Sequence, residues 1–92
     1  MDKSQIIARL RDFVEENFLY MRPDFELQND QSLMGNGIVD SMGVMEMIQF
    51  LEEEFGVEVD DAEITEENLG SIEAIAGFVA RRKGAEEERR VG

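Results

Sequence analysis

Apolar residues recur at helical spacing in three stretches of the chain, and this restricts its fold more than any other feature. In the first stretch, Ile6, Ile7, Leu10, Phe13, Val14 and Phe18 follow the three-, four- and seven-residue steps of one helix face. A helix is predicted from about Lys3 to Phe18, with Asp2 and Gln5 at capping-box spacing. Pro23 forbids its continuation. In the second stretch, from about Ser41 to Phe55, the core stripe is Val44, Ile48, Leu51 and Phe55, with Met47 at its edge. Asp40 suits the N-cap, and Gly56 suits a left-handed stop. Phe50 falls opposite the stripe, either exposed or covered by a neighbouring element; the sequence does not decide between these. In the last stretch Ser71 caps a helix whose stripe is Ile72, Ile75, Ala76 and Val79. Arg81, Arg82 and Lys83 complement its negative dipole end, and Gly84 is expected to terminate it.

The segments between are less regular. The connection from about Leu19 to Val39 is long for a compact domain, so it should pack side chains of its own or carry function. Phe25, Leu27 and Leu33 are its expected anchors. Asn36-Gly37 marks a turn, but the flanks lack strand alternation, which argues against a hairpin. From Val57 to Gly70 the pattern is ragged. Val57 and Val59 alternate with acids as a short strand would, whereas Ile64 and Leu69 around Thr65-Glu66-Glu67-Asn68 suggest a short third helix, which is the preferred reading. Helices with single apolar stripes must bury them against one another. The expected fold is therefore all-α, a four-helix bundle of three main helices and one short one. Its length of 92 residues suits one small domain. That domain is assigned to residues 1–84, and a flexible tail to residues 85–92.

Charge narrows the function. The net charge is −13, and from Pro23 to Ala80 fifteen Asp and Glu occur without one Lys or Arg. Nucleic acid is excluded as a partner, because phosphate contacts need clustered bases. Anionic membrane is disfavoured for the same reason, and no apolar run approaches the roughly 20 residues of a membrane span. Proteins with basic patches are the expected partners, found through electrostatic steering. A merely soluble surface usually mixes both signs, so the segregation points to recognition. Self-repulsion also favours a monomer. Cysteine is absent, which removes disulfides and thiolate metal sites and fits a reducing compartment. Met1 to Leu10 has no long apolar core of the signal-peptide kind, and a cytoplasmic location is expected.

One hydroxyl then stands out, Ser41 in Gly37-Ile38-Val39-Asp40-Ser41-Met42 at a predicted helix start. A serine nucleophile needs a general base within hydrogen-bond reach. The chain has no His, and its two lysines, Lys3 and Lys83, lie near its ends. The Gly-x-Ser-x-Gly elbow is absent. A calcium loop beginning at Asp24 fails because Asn29 stands where the turn glycine belongs, so no metal site is assigned. Gly35-Asn36-Gly37 lacks the lysine and spacing of a phosphate-binding loop. Ser41 reads better as an acceptor. A helix N-terminus tolerates a phosphate on its first-turn hydroxyl, and Gly35 and Gly37 let another enzyme approach closely. No catalytic residue is assigned, and the protein is not expected to be an enzyme.

Gly37-Ile38-Val39-Asp40-Ser41-Met42 resembles the attachment motif of acyl carrier proteins. The similarity extends through Leu33, Val44-Met45-Glu46-Met47-Ile48, Leu51-Glu52-Glu53-Glu54-Phe55-Gly56-Val57, and Ile64, Asn68, Leu69, Ser71, Ile72 and Ile75. It covers about Ile6 to Arg82. The resemblance implies a four-helix bundle whose Ser41 receives 4'-phosphopantetheine from coenzyme A through a phosphopantetheinyl transferase. The covalent arm then holds an acyl or aminoacyl group as a thioester. Its further partners would be acyl- or aminoacyl-adenylating ligases, or acyl-transfer and synthase enzymes with basic patches. The family's partner-facing second helix carries over to Asp40, Met42, Met45, Glu46, Gln49, Glu52 and Glu53. Met47 reads as core, Met42 and Met45 as adaptable apolar contacts. The motif wording looks most like stand-alone carriers loaded by adenylate-forming ligases, D-alanyl and aminoacyl carriers among them. Gly43 replaces an acid usual in the fatty-acid-synthesis type; it should weaken the second helix and alter which enzyme docks. The alternative is an acidic helical interaction module without a prosthetic group.

Overall fold

The computed structural model describes residues 2–22 and 24–91, those from 85 onward as helical backbone only. It contains α1 (Lys3–Phe18), α2 (Ser41–Phe55), a 3-10 turn (Asp61–Glu63), α3 (Glu66–Leu69) and α4 (Ile72–Val91), with no strand among the described residues. The region around Val57 and Val59 is not a strand: Val57 is fully buried, Val59 half-buried, and the short helix α3 follows, capped by the Thr65 hydroxyl.

Local chemistry starts and stops these helices as the sequence predicts. Asp2 and Gln5 form the capping box of α1. The α2 stop is Gly56 at φ 68°, a left-handed backbone that disfavours any residue with a Cβ. The Ser71 hydroxyl accepts the Ala74 N–H at the start of α4. The exception is Gly84. Its backbone is not left-handed, and α4 continues to Val91. Ala85 and Glu86-Glu87-Glu88 are good helix formers, and Glu86 stands at i,i+3 and i,i+4 spacing from Arg89 and Arg90. The tail assigned to 85–92 thus falls on residues described as backbone alone, with Gly92 outside the described residues.

The core joins all the helices. Ile6, Leu10 and Val14 of α1, Leu51 of α2, and Ile72, Ile75, Ala76 and Val79 of α4 are fully buried. α4 packs on both α1 and α3. Arg82 of α4 pairs with Glu63 of the 3-10 turn. The Asp60 backbone N–H and this guanidinium hold the Glu63 carboxyl below the usual carboxylate range, against the effect of partial burial.

Helices α1 and α2 run antiparallel, as three pairings show. Arg9 bonds Glu54, the Phe13 and Phe50 rings stack at 4.1 Å, and Phe18 lies beside Gly43. Phe50, opposite the main stripe, is thus half-buried under Phe13 of α1. The apolar stripe of α2 is also rotated relative to the expected one. Val44 is only half-buried, whereas Gly43 and Met47 are buried, because the first turn of α2 leans against Phe18 and Val39.

Candidate functional site

The site is built by a loop that is anchored at both ends. The Leu33 N–H donates to the Gly70 carbonyl at 2.8 Å, fastening the loop to the end of α3. The Leu33 carbonyl accepts the N–H groups of Ile38 (2.9 Å) and Val39 (3.2 Å). Leu33, Ile38 and Val39 are all buried, and so is Leu27, while Phe25 is half-buried. Ile38 and Val39 were not among the expected anchors; they are apolar residues without helical period, which only the loop's own hydrogen bonds turn inward. Gly37 turns the chain at φ 69°. Gly35 has a packing role besides: a Cβ there would lie 2.8 Å from the Ser32 Oγ, which accepts the Gly35 N–H and donates to Glu66.

This loop delivers Asp40 in an extended conformation as the N-cap of α2. Its Oδ1 accepts the Gly43 N–H at 2.7 Å, and its carbonyl accepts the Val44 N–H at 2.9 Å. Ser41 follows as the first helical residue and is exposed. Among the described residues no hydrogen bond engages its hydroxyl. The N–H groups of Ser41 and Met42 lie in the first turn, where the positive end of the α2 dipole favours an added negative group. An ester-linked phosphate on Ser41 therefore fits: the oxygen is accessible, the field is favourable, and Asp40 already holds the helix start.

The expected partner residues lie on one face. Met42, Met45, Glu46, Gln49, Glu52 and Glu53 follow helical steps from Ser41, and with Asp40 all are exposed. Met42 is 77% exposed and Met45 61%, which is unusual for side chains of this size. An open groove beside Ser41 is lined by Met42, Met45, Glu46, Ile48, Gln49 and Glu52. A second depression, lined by Phe13, Asn17, Glu46, Gln49, Phe50 and Glu53, runs along the other side of the same face. Among the described residues, no Lys or Arg pairs with Glu46, Glu52 or Glu53; Glu54 instead turns toward Arg9. The face is apolar near Ser41 and acidic further along α2. Gly43 is not part of it. It is buried under Phe18 and Val39, so an acid there would not face a docking enzyme.

Comparison with known proteins agrees with this geometry. The family model described as "Phosphopantetheine attachment site" matches residues 5–79. A D-alanyl carrier protein of Abiotrophia defectiva is 26% identical over 83 residues, covering 90% of this chain and 98% of the relative. A chain in the crystal structure of the Bradyrhizobium japonicum glycine:[carrier protein] ligase complexed with glycylated carrier protein superposes with a TM-score of 0.61. It is 25% identical, and the match covers 83% of this chain and 96% of that one. A chain in the crystal structure of an FAD-dependent dehydrogenase superposes with a TM-score of 0.68 at 21% identity, covering 76% of this chain and 97% of that one. This last likeness concerns the fold alone.

Proposed function

Because the chain belongs to the phosphopantetheine attachment-site family and is a carrier protein with a covalent 4'-phosphopantetheine arm, we propose that Ser41 bears the arm and that the cargo is a small aminoacyl group. The observation that carries the assignment is the exposed Ser41 hydroxyl in the first turn of α2, unengaged and held beside an apolar groove. A phosphopantetheinyl transferase supplies the base that the chain lacks. It moves the phosphopantetheine moiety of coenzyme A onto the Ser41 oxygen, and the nucleotide leaves. The bound arm supplies the thiol, which fits a chain without Cys. An adenylate-forming ligase then loads it. The D-alanyl relative and the glycine ligase neighbour support this cargo class and this partner class.

In this reading the chain performs no catalysis, and residues 1–84 form the carrier domain. It works as a monomer in the cytoplasm, where coenzyme A is available; a concentration-dependent sedimentation coefficient would contradict the monomer. Partners dock on Asp40, Met42, Met45, Glu46, Gln49, Glu52 and Glu53. Their bases meet the unpaired acids, and their apolar side chains meet Met42 and Met45. Family membership sets aside the interaction module without a prosthetic group.

The test is intact mass after incubation with coenzyme A and a broad-specificity transferase, for the protein and for Ser41→Ala. One pantetheine adduct, absent from the variant, is expected. An adduct that persists in the variant would refute Ser41. Loading of the product by an adenylating ligase with ATP and a panel of amino and fatty acids tests the cargo; acceptance of long-chain acids alone would refute the aminoacyl reading.

A further inference from the structure

The first turn of α2 holds a residue with no side chain where side chains from α1 and the preceding loop close in. An ideal Cβ built on Gly43 would stand 2.9 Å from Val39 Cγ1, 3.0 Å from Phe18 Cε1 and 3.3 Å from Asp40 Oδ1. The first of these lies below any distance that real Cβ atoms show, and the other two are tighter than ordinary contact. Gly43 is buried and its φ is not positive, so the requirement is for space and not for an unusual backbone.

None of the three neighbours can retreat freely. Phe18 meets Phe13 edge-to-face at 5.7 Å; Phe13 stacks on Phe50 at 4.1 Å; Phe50 meets Phe55 edge-to-face at 5.8 Å. This ladder of four rings ties the end of α1 to the length of α2. Val39 is 4% exposed and its N–H is bonded to Leu33. Asp40 is held by the Gly43 N–H itself. Val39 and Asp40 immediately precede Ser41, so a shift that accommodates a Cβ moves the peptide that presents the hydroxyl.

We propose that Gly43 is a positioning residue for attachment of the arm: its missing side chain lets Phe18, Val39 and Asp40 close on the helix start and fix where Ser41 stands. The inference rests on Ser41 being the attachment point. It replaces the expectation that glycine here acts through lost surface charge. On helix propensity alone, Gly43→Ala should strengthen α2. The packing gives the opposite expectation for the modification reaction, because small misplacement of a reacting group costs rate steeply.

The experiment measures kcat and KM for pantetheinylation of the full chain, Gly43→Ala, Gly43→Ala/Phe18→Leu and Ser41→Ala, with melting curves for each. For folded Gly43→Ala, kcat/KM should fall about tenfold or more. Trimming Phe18 in the double variant should recover most of that loss. A wild-type kcat/KM for folded Gly43→Ala overturns the proposal, whatever happens to its melting temperature. So does a slow reaction that the double variant fails to rescue. Should Gly43→Ala not fold, the double variant decides: near-wild-type modification supports the proposal and slow modification overturns it. An adduct that persists in Ser41→Ala would instead remove the attachment reading on which the inference rests.

Discussion

Truncating Phe50 to Ala tests the packing that holds the helix bearing Ser41. A fully buried Phe→Ala change costs about 3–5 kcal/mol. Phe50 is half-buried, which scales that loss to about 1.5–2.5 kcal/mol. Its stack on Phe13 and its edge contact with Phe55 add about 0.5–1.5 kcal/mol beyond area. The expected destabilisation is therefore about 2–4 kcal/mol. For a domain of this size, each kcal/mol moves the melting temperature by about 4–8 °C, so a fall of about 8–32 °C is expected. Calorimetry or circular dichroism melts would measure it, with urea titration as a check. The same experiments on Phe13→Ala and the double variant should give a coupling of at least about 0.5 kcal/mol. A fall below about 3 °C for Phe50→Ala, the response of an exposed position, would refute the assignment of Phe50 to the interface. Additive single losses would refute the stack itself.

Two further outcomes are expected. Because the native pKa of Glu63 is lowered, its bond to the Asp60 N–H and its pair with Arg82 stabilise the fold above the ordinary glutamate range; that stabilisation is lost as pH falls through the lowered value. Urea titrations of Glu63→Gln and the unaltered protein should differ near pH 7 and converge as the solution is acidified; a gap constant with pH would contradict this. With a net charge of −13, the melting temperature should rise as ionic strength increases from about 10 mM to about 150 mM, and an unchanged value would count against self-repulsion as a cost to the fold.

What the sequence made legible was what is decided locally. Asp2 and Gln5, Asp40, and Gly56 act on backbone groups within a few residues, so the start of α1 and both bounds of α2 followed from them. Helical period was enough to set Met42, Met45, Glu46, Gln49 and Glu53 on the side of α2 away from the core stripe, and all are exposed. Residues whose environment comes from elsewhere in the chain were not. Phe50 needed Phe13 from α1 to explain it. Gly43 read as a lost charge and a weak point in a helix, because nothing near it in sequence announces that Phe18 closes over it. Gly84 read as a stop because glycine commonly is one, yet a glycine stop needs a left-handed backbone, and strong helix formers follow. Ile38 and Val39 were missed because a loop has no period; their burial follows from both N–H groups converging on the Leu33 carbonyl.

The acidic run Glu52-Glu53-Glu54 bears on whether charge segregation serves recognition, as proposed above, or solubility alone. Helical geometry divides it: Glu54 turns to Arg9 of α1, while Glu52 and Glu53 stay on the outer face with Glu46. The described ion pairs engage Arg9, Arg11 and Arg82 with Glu54, Glu15 and Glu63, none of them on that face. Two of these pairs, Arg9–Glu54 and Arg82–Glu63, join separate elements, and among the described residues Glu46, Glu52 and Glu53 have no ion-pair partner within the chain. These acids repel one another in the free chain, and in the proposed docking they would attract a basic partner. One charge distribution therefore gives salt effects of opposite sign: added salt stabilises the free carrier by screening repulsion and weakens docking by screening attraction. An acidity that served solubility alone would show the first effect without the second. The slope of a partner enzyme's KM against ionic strength, measured beside the melting temperature, thus separates recognition from solubility as the role of the charge.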